Sequence, residues 1–308
     1  MIIGRSFKCY ISGTMIPKLT SAEIKELVQM FKGCSSDCLT LYYLLKNSVK
    51  TENTWPRVDV YVDSEDLAKV TSVVAIWYAN DDRNGGAETY YFLYALDVAK
   101  LKAFLRGPCV LDLKKHSKVN FVLLKAAHDK SIRELLKKEL CTTSQFYDSG
   151  YSYVLDNINE SIINMATKTL PRDFKVGPLQ RKHAGVLREV YTYGQPPPLS
   201  RFENTIKHQQ HLAMFNQTGE PISWAVVKEY GEIGMTYTMP RYRRQGFASI
   251  VTSKLVQMVL DSNEIPLVAI APSNEASQAL HTKLGFQRRG EMWAIEYFIY
   301  NQDMTQRK

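Results

Sequence analysis

The chain has 308 residues, 45% hydrophobic and 23% charged, with a formal net charge of +8. These are globular proportions over a length that suits one large domain or two of ordinary size, so a disordered chain is excluded. No stretch of eighteen apolar residues occurs, which excludes a membrane-spanning helix, and acids interleave with the basic residues, as at Arg133-Glu134 and Lys137-Lys138-Glu139, so most of the charge reads as solvated surface rather than a nucleic-acid face.

Thr20 and Glu23 form a capping box ahead of Ile24, Leu27, Val28 and Phe31, whose spacing predicts one face of a helix. A second helix carries Leu39, Tyr42, Tyr43 and Leu45. Val58, Val60 and Val62 alternate as in a half-buried strand, and Val73–Tyr78 and Tyr90–Leu96 read as two more strands across a turn at Asp81–Gly86. Helices over Val98–Arg106 and Lys130–Leu140 flank a strand at Val119–Leu124. Residues 142–172, rich in Ser, Asn, Asp and Thr, read as the linker, which gives an N-terminal α/β domain over 1–170, a second domain over 171–302 and a tail over 303–308.

The second domain reads as strand Phe174–Leu179, helix Lys182–Thr192, a loop with Pro196–Pro198 and a helix near Arg201–His208. Strands follow at 211–215, 222–228 and 233–239, then a helix, a strand at Leu267–Ala271, a helix from Asn274 to Gly285, and two closing strands. That order predicts an α+β domain with a mixed sheet. The N-terminal domain repeats helices followed by strands and could be a degenerate copy of it, without a phosphate turn.

The most informative segment is Arg243-Arg244-Gln245-Gly246-Phe247-Ala248-Ser249, which lies between a strand and an amphipathic helix carrying Ile250, Val251, Leu255, Val256, Met258 and Val259. A helix start exposes backbone N–H groups and positive partial charge, so it suits a pyrophosphate. Gly246 has no Cβ to hold a phosphate away, and Ala248 stays small. Arg241, Arg243 and Arg244 supply cations beside it.

The succession of strand, phosphate turn, helix, strand, Asn274, helix and Gly285-Phe286 resembles the GNAT superfamily of N-acetyltransferases, with His281 where that motif usually has tyrosine. Pro221-Ile-Ser-Trp224, Gly231-Glu-Ile-Gly-Met-Thr-Tyr-Thr-Met-Pro240, Tyr242-Arg243, Phe174-Lys-Val, His183-Ala184 and Arg201-Phe202 extend the likeness to the catalytic domain of the glycine N-acyltransferase family over about residues 172–300. Trp55-Pro56 carries it more faintly into the N-terminal half.

The resemblance implies acyl-CoA as co-substrate, bound by residues 243–249 with Met239 and Asn274, and a small amine such as glycine as acceptor. It implies Glu232 as general base, and a backbone N–H at Met239 or its neighbour as the oxyanion donor, since Pro240 has none. By the residues alone, Glu232 reads as that base or as a half-exposed turn residue, and His281 as a thiolate-protonating acid or a histidine on a helix surface. Asn274 reads as a pantetheine ligand, a helix cap, or both. Arg201 could pair with an acceptor carboxylate, while Trp224, Trp293 and Tyr237 read as core.

Two other functions share these features: acetylation of protein lysines or N-termini, and acyl-CoA binding without turnover. Cys9, Cys34, Cys38, Cys109 and Cys141 form an odd set without CxxC spacing, read as the reduced thiols of an intracellular protein, and no metal is expected. Arg5, Lys8 and Lys18 precede the first acid, a start compatible with a mitochondrial targeting segment and equally with a cytoplasmic protein.

Overall fold

The computed structural model describes residues 9–11, 14–33, 38–79, 88–106, 118–125, 134–135, 144–170, 172–192 and 196–298. In chain order these form β1 (Cys9–Ile11), β2 (Thr14–Ile16), α1 (Ser21–Phe31), α2 (Leu39–Lys50), β3 (Val58–Val62), β4 (Ser72–Tyr78), β5 (Glu88–Ala95), α3 (Val98–Leu105), β6 (Lys118–Lys125) and β7 (Ser144–Val154). The second half adds α4 (Glu160–Ala166), β8 (Lys175–Gly177), α5 (Ala184–Glu189), α6 (Leu199–His208), β9 (His211–Phe215), β10 (Pro221–Val227) and β11 (Ile233–Thr238). It closes with α7 (Phe247–Asp261), β12 (Leu267–Ile270), α8 (Glu275–Lys283) and β13 (Gln287–Phe298).

Contacts divide the chain into two compact units, Met1–Ser149 with Glu291–Lys308, and Gly150–Gly290. The boundary drawn from composition at 170/171 therefore falls inside the second unit. Composition misled there because the polar stretch is structured by partners far away in sequence: β7 pairs antiparallel with β12 through Tyr151–Val154, and Asn159 caps α4 by accepting from the Ile162 amide at 3.0 Å.

In the first unit the expected capping box forms, with Thr20 Oγ1 accepting from the Glu23 amide and Glu23 accepting from the Thr20 amide. β3, β4 and β5 run antiparallel, and β6 lies parallel to β5. Val74, Ile76, Tyr91, Leu101, Leu105 and Phe121 fill the core, each large apolar side chain contributing about 1.5–3 kcal/mol by leaving water. Of the helix expected over Lys130–Leu140, only Glu134 and Leu135 are described, and both are helical. The turn at Asp81–Gly86 and the tail lie outside the described residues.

Cys38 is disulfide-bonded, which corrects the expectation of five reduced thiols. Cysteine pairing depends on the distance between Cα atoms in the fold, and sequence spacing does not report it.

In the second unit β8, β9, β10 and β11 make an antiparallel sheet. Alternation along β10 divides its side chains between two cores: Ile222, Ala225 and Val227 pack with α7, while Trp224 and Val226 pack with α5 and α6. Helix α7 buries the expected Ile250, Val251, Leu255, Val256 and Val259. The helix expected over Lys182–Thr192 is shorter: a 3₁₀ turn at Arg181–His183 leads into α5, which ends at Glu189. Among the described residues one strand, β13, follows Gly285 where two were expected.

Candidate functional site

β11 and β12 touch through an isolated parallel bridge between Glu232 and Leu267. Because the bridge joins the beginnings of two parallel strands and no ladder continues it, their C-terminal ends part. Strand β11 is bent as well. Its pairing with β10 slips between Trp224 and Val226, and Met235 adopts a left-handed φ of 49°, the signature of a bulge.

After β11 the chain makes a 3₁₀ turn at Pro240–Tyr242 and enters α7 through Gly246, whose φ of 82° lies in the left-handed region. Arg244 is also left-handed, at 61°. No Cβ of an ordinary residue would clash at Gly246, since no protein atom lies within 4 Å of that position; glycine is required there by the backbone angle. The Ile250 amide is the first to bond back, to the Gly246 carbonyl at 3.1 Å. Among the described hydrogen bonds none uses the amides of residues 244–249, which leaves a concave set of donors at a positive helix end.

The side chains around the turn have separate tasks. Phe247 is buried and packs on Phe174 at 4.8 Å, fixing the first turn of α7 to the core. Ala248 and Ser249 are half-buried, and Gln245 is exposed. Arg243 donates from Nε to the Thr238 carbonyl at 3.1 Å, whereas Arg241 lies 3.6 Å from Glu220. Arg244 is exposed, with no described ion pair.

The amide of Met239 is committed to the sheet, donating to Ile222 at 2.8 Å. Antiparallel pairs alternate between bonded and non-bonded, so Thr238, opposite Ser223, directs its N–H and C=O toward the free edge. The Arg243 bond to the Thr238 carbonyl agrees with this. Of Met239 and its neighbour, the neighbour holds the available donor.

Glu232 is 2% exposed, where the sequence also allowed a half-exposed turn residue. Its Oε2 lies 3.3 Å from Lys228 Nζ, and its Oε1 has no hydrogen-bond partner. Burial pushes this carboxyl up, and the Lys228 ammonium holds back part of the rise.

His281 is 1% exposed, packed edge-on against Phe286, and so is no surface histidine. Its Nδ1 lies 2.8 Å from the Ser277 carbonyl, which can only accept, so the ring proton sits on Nδ1 and Nε2 carries a lone pair without a partner. Burial lowers its pKa, keeping the ring neutral. A neutral ring of that tautomer accepts at Nε2; it does not donate.

Asn274 caps α8, its Oδ1 accepting from the Ser277 amide at 3.1 Å. Its Nδ2 makes no described hydrogen bond. Arg201 is 7% exposed, with its guanidinium 3.9 Å from Glu229. The charge that the sequence offered to an acceptor carboxylate thus has an internal carboxylate beside it. Trp224 is core, tilted on Tyr237 at 5.3 Å, and the Trp293 side chain lies outside the described residues.

Lys228 escaped the sequence reading. The available signal was Gly231, left-handed at 84°, in a turn where the Lys228 amide bonds the Glu232 carbonyl at 2.7 Å and so sets the two side chains four residues apart side by side.

Comparison with known proteins agrees with this geometry. Residues 212–294 match the family model for FR47-like protein. In fold the chain is similar to a Drosophila protein solved by X-ray crystallography, at 17% identity and a TM-score of 0.77 over 93% of this chain and 99% of that one. A tandem GNAT protein from the clavulanic acid biosynthesis pathway aligns over 94% of this chain and 99% of its own, at 12% identity and a TM-score of 0.58. The fold is thus the α+β architecture of the GNAT acyltransferases, and the likeness runs through both units.

Among curated proteins the chain is similar to glycine N-acyltransferases. It is 26% identical to Glycine N-acyltransferase of Bos taurus over 66% of this chain and 72% of that protein, and 27% identical to that of Mus musculus over 55% and 60%. Glycine N-acyltransferase-like protein 2 of Homo sapiens is 30% identical over 35% of this chain and 37% of its own. Among the described residues no helix is long and apolar enough to cross a membrane, and no three His, Cys, Asp or Glu side chains gather as a metal site.

Proposed function

We propose that the protein transfers an acyl group from coenzyme A to the amine of glycine or another small amino acid. One observation carries the reading: the unclaimed amides of residues 244–249 open where β11 and β12 part, and the buried carboxylate of Glu232 stands at the bridge from which they part. In this reading the amides hold the coenzyme's pyrophosphate, Arg243 and Arg244 add charge, and the Asn274 Nδ2 meets the pantetheine arm.

The amine must be neutral to attack, and an amino acid is mostly protonated near neutrality. Glu232 takes the proton as the N–C bond forms, a task suited to a carboxyl whose ionisation burial has made harder. The Thr238 N–H stabilises the oxyanion. The C–S bond then breaks, and the thiolate leaves and is protonated through water. A thiol with a pKa near 8.5 leaves without help, so His281 is given the part of an acceptor rather than an acid. Arg201 holds Glu229 in this scheme and leaves the acceptor alone.

The test is incubation of pure protein with glycine and a panel of acyl-CoAs, reading acylglycine by mass. Product that disappears in Glu232→Gln supports the reading. Product on peptide lysines but none on free amino acids would replace it with a protein acetyltransferase, and retained CoA binding without any product would leave a binding protein.

A further inference from the structure

The hairpin that leads into β11 is dense in charge. Lys228, Glu229, Tyr230 and Glu232 fall within five residues, and Glu229, Tyr230 and Glu232 are buried. Glu229 accepts from Thr205 Oγ1 at 2.6 Å and has Arg201 at 3.9 Å. These three make one set. Lys228 and Glu232 form a second set.

The Lys228 chain reaches Glu232 by crossing the backbone of Gly234. A Cβ built on Gly234 would stand 2.6 Å from Lys228 Cε, closer than unmoved atoms can pack, with Cδ and Nζ at 3.4 Å. Gly234 therefore keeps open the path along which the lysine lies. A side chain that were merely solvated surface would not need a gap in the neighbouring strand.

We propose that Lys228 is a positioning residue for Glu232: its ammonium holds Oε2 and leaves Oε1 to receive the acceptor's proton. This rests on the acyltransferase reading above. A lone buried carboxylate would protonate to escape the cost of its charge, and a protonated Glu232 could not act as base. The lysine beside it keeps the ionised form while sparing one oxygen. The charged and titratable groups facing the pair are Tyr230 and Tyr191 beside Lys228, and Arg201 and Glu229 behind Tyr230. Burial pushes the Tyr230 phenol up to about 12, so it stays neutral while the pair titrates.

The experiment compares wild type, Lys228→Met, Lys228→Arg and Gly234→Ala by two readouts. One is the pH dependence of kcat/KM for the amine. The other is the carboxyl ¹³C titration of Glu232, assigned with Glu232→Gln and independent of turnover. In Lys228→Met both the acid limb and the ¹³C midpoint should move up by about one pH unit or more, the size of an adjacent opposite charge. Gly234→Ala should move them part of the way by displacing the lysine, and Lys228→Arg should restore them.

If neither readout moves in Lys228→Met, or if the midpoint moves and the limb does not, the proposal is overturned. If wild type makes no product while the ¹³C midpoint still shifts, it is the acyltransferase reading that has failed, and the role of Lys228 in proton transfer falls with it.

Discussion

The backbone of Glu232 bridges that of Leu267, and beyond this bridge β11 and β12 have no further pairing among the described residues. The carboxylate offered as base therefore sits where the two strands part, upstream of the turn that would hold the coenzyme.

Gly246→Ala should weaken CoA binding by about tenfold or more and lower stability by about 1–2 kcal/mol, the cost of a left-handed residue with a Cβ. Its surroundings are open, so the instability comes from the φ of 82° alone. Calorimetric titration with CoA and chemical denaturation separate the two effects.

Arg244→Gly should do the reverse to stability. Relief of a left-handed arginine at 61° raises the melting temperature, while loss of its charge weakens CoA binding, more so at low salt. Thermal melts with and without CoA check both signs.

Glu232→Gln has a pH signature in stability. The folded-state pKa of Glu232 is raised by burial, with Lys228 opposing, so its contribution is fully present below the unfolded value and is lost as pH rises through the folded one. The glutamine variant should therefore melt above wild type at pH 8, with the gap closing toward pH 4. A gap that widens on acidification would mean that the carboxylate is stabilised by the fold.

His281→Gln should lower kcat by less than about tenfold and leave the alkaline limb of the pH profile in place, because a neutral ring with its proton on Nδ1 is no acid at Nε2. Steady-state kinetics across pH decide it. A loss beyond about a hundredfold would restore the acid role.

Gly285→Ala should cost at least about 1–2 kcal/mol. Its φ is 91°, and an added Cβ would also meet the Asn159 side chain, which donates to the Leu284 carbonyl at 3.0 Å. Denaturation of Gly285→Ala with and without Asn159→Ala measures how much of the loss is steric.

Elements with strong local signals were legible in the sequence: the Thr20 capping box, the valine alternation of β3, the stripe of α7, the turn glycine Gly246 and the helix end at Gly285. What escaped depends on distant partners. β7 is a polar stretch made into a strand by β12, and the pairing of Cys38 has no local trace. At the site, type and order of residues pointed to the phosphate turn, but only the sheet register shows that Met239 spends its amide on Ile222 and Thr238 does not. Burial likewise separates Glu232 from an ordinary turn glutamate, and only the fold shows the Glu229 carboxylate 3.9 Å from the Arg201 guanidinium.

The most direct measurement is amide NMR of the ¹⁵N-labelled protein during titration with CoA. The backbone signals of Gly246, Phe247, Ala248 and Ser249 should show the largest shifts, saturating together, and in Gly246→Ala the saturation should need about tenfold more CoA or beyond. Tight CoA binding that leaves those four signals in place while others move would contradict the account.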